Sequence, residues 1–424
     1  MKRTLLLFFW LAFSLCSWSQ TLEECIVLAR ENYPEIKRHD LIRQCRDYNV
    51  SNALRGWLPQ VRLSAQASWQ NEVPEFPEAM NKLLANAGTQ FDGFQNDQYH
   101  VALHVNQTVW DGGASASSKQ LAEAHADAEQ KQSDVALYAL EERVEEIYFA
   151  ILLLDNRAEQ IQKSIELLES NLHKVESMLK NGTAMTSDKD MMEAELLTAR
   201  QMLEQVEATN VSYRRMLSYL IGSETGGKLQ RPETVEITSM QSARPELALF
   251  AARSSIFDAV RTKYHVAVRP RFSVFAECDY GYPGYDMFRS MQHSDWRFNT
   301  ILCLRMTWDL GSFNTRKNNL RKIEAAQQQI AVDRENFLFN TQLKTIAENE
   351  EITRLKKMIN SDTEILQLRQ KVRQANESKY ENGITDINTL TRAITDETQA
   401  SLARSAHEIQ LLQVQYRLKR TLNR

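Results

Sequence analysis

Four stretches of the chain alternate apolar and polar residues, and they come in two pairs. The first pair lies at about residues 60–70 and 99–110, the second at about 271–282 and 298–308. In the first stretch, Val61 and Leu63 are apolar and Arg62 is polar. A period of two predicts β-strands with one apolar and one polar face, each of the ~9–11 residues that cross a bilayer at a tilt.

The period changes to that of a helix after each pair of strands. From about residue 114, apolar residues recur at spacings of four and three, which is a heptad seam. A turn at Asn181 and Gly182 and a return helix predict a helical hairpin at about 114–220. A second hairpin is predicted at about 314–420, with its turn at Asn382 and Gly383. At ~1.5 Å per residue, the first helix of each hairpin would extend ~100 Å.

The chain is written twice in the same order. Pro34 and Pro245 are 211 residues apart, as are Pro59 and Pro270. We therefore predict an internal two-fold repeat. The predicted parts are a first repeat at 20–220, an inter-repeat equatorial loop at 221–243, and a second repeat at 244–424.

The first 19 residues are predicted to be a secretory signal peptide. Lys2 and Arg3 precede an apolar run at 5–15, and small residues follow it at a cleavage position. The run is short of the ~20 residues of a spanning helix, so a membrane anchor is a weaker interpretation. Lipid attachment at Cys16 is a further alternative, although the bulky Leu15 precedes it.

Composition and motifs exclude several functions. Without Lys2 and Arg3 the chain has 49 basic and 55 acidic residues, a net charge of −6, which predicts no nucleic-acid partner. No HExxH, phosphate loop, nucleophile elbow or CxxC is present, so we expect no enzyme and no cofactor. His100 and His104 share a strand face but lie ~13 Å apart, too far to share a metal. We interpret them as polar residues facing a lumen.

Cysteine usage decides little. Cys278 and Cys303 fall on opposite faces of predicted strands and should not meet. Cys25 and Cys45 would pair only if two helical segments packed side by side, and the sequence leaves that open.

Membrane insertion of this chain would have to use its strands, because no later segment is apolar enough for a spanning helix. Four strands cannot close a barrel, and an open edge in lipid leaves backbone groups unpaired. Two copies would give eight strands and a plugged interior, whereas three would give twelve and a passage. A trimeric barrel continued by a helical tube is the simplest closed solution.

The layout resembles the TolC family of outer-membrane efflux proteins. The resemblance is carried by the opening Thr21–Glu24 helix, the Leu58–Pro59 strand start, the strand end at Gln107–Gly113, the hairpin, and the repetition of all four. It implies a mixed α and β membrane protein with a 12-stranded barrel in the outer membrane and an α-helical periplasmic barrel. It also implies a homotrimer that exports small molecules delivered by an inner-membrane pump and a periplasmic adaptor. The alternatives are a type I secretion duct for polypeptides and a periplasmic coiled-coil scaffold without a barrel.

The resemblance also implies roles for particular residues. A periplasmic gate would use a bond between Asp188 and Tyr380, although Asp188 is also explained as a helix-start acid. Where the family has a tip arginine and a pair of aspartates, this chain has Thr385, Thr389 and Arg392, which puts the gate's charge pattern in doubt. The tips expected to contact an adaptor are Asn181, Gly182, Thr183, Asn382, Gly383 and Ile384. The strand-to-helix turns are Trp110, Asp111, Gly112, Gly113, Trp308, Asp309 and Gly311.

Overall fold

Helices dominate the protein, and they are joined to one small antiparallel sheet. The computed structural model describes residues 20–89, 91–225, 227–235 and 242–423. The predicted signal peptide, with Cys16, and parts of the predicted inter-repeat loop lie outside the described residues. The helices are α1 (Leu22–Asn32), α2 (Ile36–Arg55), α3 (Glu78–Asn86), α4 (Ala114–Lys180), α5 (Thr186–Ile221), α6 (Pro245–Ala267), α7 (Met287–Gln292), α8 (Ser312–Glu381) and α9 (Ile387–Leu422). The strands are β1 (Gln60–Trp69), β2 (Asp97–Trp110), β3 (Arg271–Tyr282) and β4 (Arg297–Thr307).

The chain divides into two units. One, the sheet unit, comprises Leu41–Glu129 and Ala251–Ala331 and contains all four strands. The other, the helical unit, comprises the described residues up to Asp40, Gln130–Phe250 and Val332 onward.

The sheet pairs its strands antiparallel in the order β1-β2-β3-β4. Its register separates two faces. One row across the sheet is Leu63, Leu103, Cys278 and Thr300, and the next is Ser64, Ala102, Asp279 and Asn299. Successive rows point to opposite sides, so one side is largely apolar and the other is rich in polar groups. We call them the apolar face and the polar face. Much of the apolar face is exposed in the single chain, including Leu63, Leu302 and Leu304.

The same register settles the strand cysteines. Cys303 pairs with Phe275 and Cys278 with Thr300, so the two thiols lie on opposite faces as predicted. Cys25 is buried and Cys45 exposed, and both are free thiols. Burial raises the pKa of Cys25 to about 11, which makes it an inert core residue.

The loops between paired strands are more ordered than their sequence indicated. The stretch from Asn71 to Asp97 has no clear period, and we expected a loop, but Glu78–Asn86 forms α3 directly after Pro77. A second short helix, Met287–Gln292, is capped by Asp286, which accepts a hydrogen bond from the Arg289 N–H. Neither helix has a large buried face, so apolar periodicity could not reveal them.

The helical unit has two apolar clusters. The first surrounds Tyr148, whose hydroxyl donates toward the carbonyls of Gln20 and Gln230 at 2.9 and 2.6 Å. The second joins both hairpins through residues such as Met192, Tyr380 and Ile394. Among the described residues, no helix combines the length and apolarity that crossing a membrane would need.

Candidate functional site

A buried carboxylate shapes the first strand-to-helix turn. Asp111 is 7% exposed and accepts hydrogen bonds from the N–H groups of Gly113 and Ser115 at 2.8 and 2.6 Å. Burial alone would raise the pKa of this carboxyl, but the hydrogen bonds from Ser115 and Gly113 outweigh it and hold the pKa below its usual value. Asp111 therefore supplies the start of α4 with a charged hydrogen-bond acceptor.

Gly112 is required at this turn for two reasons. Its φ is +69°, a region that side chains disfavour. A Cβ here would also lie 3.2 Å from the Pro270 carbonyl oxygen. The Arg269 guanidinium donates to the Gly112 carbonyl at 3.1 Å, so the turn is tied to the residues just before β3.

The second strand-to-helix turn repeats the arrangement. Asp309 accepts hydrogen bonds from the Gly311 N–H at 3.0 Å and the Ser312 hydroxyl at 2.6 Å. These bonds, with the Ser312 hydroxyl as the largest cause, lower the pKa of Asp309. Asp111 and Asp309 each lie three residues before the first residue of a long helix.

Aromatic residues line both ends of the apolar face. At one end, which we call the first aromatic row, Trp296 stacks on Tyr99 at 5.9 Å and contacts Tyr280 at 5.5 Å, and Trp69 is exposed nearby on β1. The second aromatic row lies beside the turns and consists of Trp110, Phe272, Trp308 and Phe313. From Tyr99 to Trp110 the strand would extend ~36 Å, which a tilt of ~40° reduces to ~28 Å.

The polar face carries the two predicted lumen histidines, and it supplies partners that the sequence did not reveal. His100 lies 3.1 Å from Asp279, and His104 lies 3.0 Å from Glu277. Alternation on β3 places both acids on the polar side, but the pairing needs the register between β2 and β3, which comes from strands far apart in sequence. No cluster of three or more potential ligands is placed to hold a metal ion in the described part of the chain.

The two hairpin tips share one backbone geometry. In the first, Gly182 has φ +74° and the Thr183 N–H donates to the Met178 carbonyl at 2.9 Å. In the second, Gly383 has φ +69° and the Ile384 N–H donates to the Lys379 carbonyl at 2.8 Å. Both are Schellman-type helix ends, which glycine favours because the left-handed conformation costs it little. The six predicted tip residues, Asn181, Gly182, Thr183, Asn382, Gly383 and Ile384, are all exposed.

The return helices begin differently at the two tips. Asp188, in the first turn of α5, accepts a hydrogen bond from the Met185 N–H at 3.1 Å. In the second hairpin the carboxylate stands three positions earlier: Asp386 is the N-cap of α9 and accepts bonds from the N–H and the hydroxyl of Thr389 at 2.8 and 2.6 Å. The same capping task is therefore done from opposite ends.

The structure brings Asp188 and Tyr380 into electrostatic contact without a hydrogen bond between them. Tyr380 is 6% exposed, and its buried hydroxyl has no hydrogen-bond partner. Burial raises the pKa of Tyr380, and the nearby Asp188 charge raises it further. The Asp188 carboxylate meanwhile caps α5, as the simpler interpretation of this residue has it.

The other predicted gate residues lie on α9 and just before it. Thr389 is engaged by Asp386, Thr385 is half-buried, and Arg392 is exposed. Arg392 lies on the side of α9 opposite its buried residues Leu390 and Ile394. The structure therefore does not gather Thr385, Thr389 and Arg392 within one chain.

Exposed apolar side chains on α5 and α8 were not among the predicted site residues. On α5 they are Leu197, Met202, Val211, Met216 and Tyr219, which we call the α5 stripe. On α8 they are Val332, Phe339, Leu343, Ile346, Ile365, Leu368 and Val372, the α8 stripe. In the described residues, α4 and α9 expose no large apolar side chain. The heptad pattern could have located these stripes, but it could not tell which seam packs within the chain.

Polar contacts explain this division. α4 is joined to α9 by Ser164 and Thr398 at 3.0 Å, and to α8 by Lys174 and Glu377 at 2.6 Å. α9 is joined to α5 through Thr395, which donates to Glu195 at 3.1 Å. α4 and α9 are thus central, and α5 and α8 carry the unpartnered stripes.

Residues 25–223 match the family model described as outer membrane efflux protein. The outer membrane protein VceC from Vibrio cholerae is 14% identical, with a TM-score of 0.69 over 95% of this chain and 95% of that one. The outer-membrane channel OprN is 14% identical, with a TM-score of 0.68 over 95% and 89%. The open state of the Neisseria gonorrhoeae MtrE outer membrane channel is 15% identical, with a TM-score of 0.66 over 95% and 88%. No curated protein matches the chain significantly. The solved structures share its fold.

Proposed function

Because the chain belongs to the outer membrane efflux protein family, we propose that it is a passive exit duct that conducts small molecules across the outer membrane. In this proposal three copies form a 12-stranded barrel in the membrane and a helical tunnel in the periplasm. An inner-membrane pump and a periplasmic adaptor would deliver the cargo. The family comprises outer-membrane transport channels, which agrees with the predicted localisation and with the prediction that the chain is not an enzyme.

The sheet carries this proposal. Its apolar face is exposed and ends in aromatic rows, which is the pattern of a barrel wall in contact with lipid. Its outermost strands, β1 and β4, are each paired on one side only. In lipid their free backbone groups need partners, and the β4 strand of another copy beside β1 would supply them.

The helical unit supports assembly independently. The α5 stripe and the α8 stripe lie on different helices, so α5 of one copy would pack against α8 of the next. Such a head-to-tail contact closes into a ring when the rotation between copies allows it. Three copies provide the twelve strands that leave an open passage.

The adaptor would meet the exposed hairpin tips, and the gate would use Asp188 and Tyr380. Their electrostatic proximity supports this assignment, since a small movement of either side chain would let the free Tyr380 hydroxyl donate to the carboxylate. Arg392, exposed on α9, would place a positive charge where family relatives carry acids.

Fractionation and bilayer recording test the proposal. We expect the protein in outer-membrane detergent extracts as a heat-resistant trimer that forms ion-conducting pores in a planar bilayer. A soluble periplasmic product, or a trimer that conducts no ions, would contradict it.

A further inference from the structure

Two histidines of β2 each lie beside a carboxylate of β3 on the polar face. His104 stands directly opposite Glu277, and their side chains approach to 3.0 Å. His100 reaches diagonally to Asp279 at 3.1 Å, which is possible because small Ala102 stands opposite that acid. Asp279 is almost completely buried, with a side-chain exposure of 4%.

Hydrogen bonds hold both pairs in place. The Ser64 hydroxyl on β1 lies 3.0 Å from His104 Nε2. The Tyr285 hydroxyl donates to Glu277 at 3.0 Å. The Asn299 amide on β4 donates to Asp279 at 3.4 Å. Every strand of the sheet therefore contributes to this arrangement.

The surrounding charges nearly cancel when the histidines are neutral. Arg62 pairs in register with His104 on the β1 side, and Arg305 lies over the Phe275 ring at 4.6 Å on the β4 side. These two cations offset Glu277 and Asp279. The remaining arginines of this face lie at its ends: Arg297 is paired with Asp295 at 3.2 Å, and Arg271 interacts with Asp309.

We propose that these two histidine–carboxylate pairs make the ion selectivity of the pore depend on pH, an inference that rests on the proposed channel function. Histidine is the side chain that ordinarily changes charge between pH 5 and 8. The other titratable groups here are Tyr285 and Cys303, and phenols and thiols change charge in alkaline solution. Acidification therefore adds one positive charge at His100 and one at His104 in every chain.

Three chains would place these charges around one water-filled passage. Rings of charged side chains select permeant ions by their sign, because the field inside a narrow polar lumen acts on every ion that enters. A face with little net charge near neutral pH becomes positive in acid, so the pore should come to favour anions.

The test is the chloride-to-potassium permeability ratio of the full-length trimer in a planar bilayer under a KCl gradient. For the wild type we expect the ratio to rise at least about two-fold between about pH 7.5 and about pH 5.5. The double variant His100→Gln and His104→Gln should show no such rise. The variant His407→Gln is the matched control, because His407 pairs with Asp362 at 2.6 Å on the helices and not on the sheet.

A second variant guards against a fold defect in the first. Glu277→Gln with Asp279→Asn removes the negative charges and should make the pore favour chloride already near neutral pH. If wild-type pores conduct with the same selectivity at both pH values, the inference is overturned and the channel function stands. If no conductance is found at all, both fall.

Discussion

At the scale of single residues, two aspartates do the same work at two places in the chain. Asp111 and Asp309 end their strands and accept hydrogen bonds from groups that open α4 and α8. A carboxylate is suited to this position because the exposed N–H groups of a helix start carry partial positive charge.

Asp111→Ala should destabilise the folded protein by ~1 kcal/mol near neutral pH, the usual cost of losing a side-chain cap. The folded-state pKa of Asp111 is lowered, so its contribution is present above the unfolded-state pKa and is lost as pH falls through the folded-state value. Thermal unfolding at neutral and strongly acidic pH measures this. The two proteins should converge in acid, and a difference independent of pH would refute the role of the charge.

Tyr380→Phe is the sharpest residue-level test of the gate. An unpartnered buried hydroxyl costs ~1–3 kcal/mol, so its removal should not lower the melting temperature. Single-channel conductance should nevertheless rise, because the closed state would lose the bond to Asp188. Asp188→Ala should raise conductance too, while also removing the cap on α5. Unchanged conductance in both variants would eliminate the bond.

At the scale of elements, alternation and heptad spacing suffice to find the strands and the long helices. Both patterns come from burial of one face, and each persists over many residues. The short α3 and α7 escape because they bury little. The partners of His100 and His104 escape for another reason. They depend on which residue of β3 faces which residue of β2, and a shift of one residue would turn Glu277 and Asp279 to the other side.

The Asp188–Tyr380 contact shows where resemblance outperforms pattern. The two residues are almost two hundred positions apart on different hairpins, and no periodicity connects them. Nothing in the local sequence indicates that Asp188 bonds the Met185 N–H rather than a tyrosine, because both are ordinary tasks for a carboxylate at a helix start.

Leu368→Lys tests the α8 stripe as an interface between copies. Leu368 is 60% exposed in the single chain, so lysine should leave the isolated fold intact. At an interface it would forfeit ~1.5–3 kcal/mol of apolar burial per site and add an unpaired charge. Native mass spectrometry should show loss of trimer with unchanged helical circular dichroism. The neighbouring exposed Gln370→Lys is the control and should remain trimeric; an intact Leu368→Lys trimer would place the interface elsewhere.

At the scale of the whole molecule, the aromatic rows should mark two membrane interfaces. Variants that retain only Trp69 or only Trp308 should lose fluorescence to lipids brominated near the headgroup, and lose less to lipids brominated at the chain ends. A Tyr219→Trp variant lacking other tryptophans is the control. Tyr219 is 85% exposed on α5, and its replacement should not be quenched. Equal quenching at all three sites would argue against a membrane-spanning sheet.

The two hairpin tips have one further consequence, for the stoichiometry of whatever binds there. Their main chains turn alike at Gly182 and Gly383, but Met185 stands at the start of one return helix and Asp386 at the start of the other. In a trimer the backbone shape would therefore repeat six times around the axis and the side-chain pattern three times. A partner that recognises only the turn could bind in six copies, whereas one that reads the carboxylate at Asp386 would bind in three.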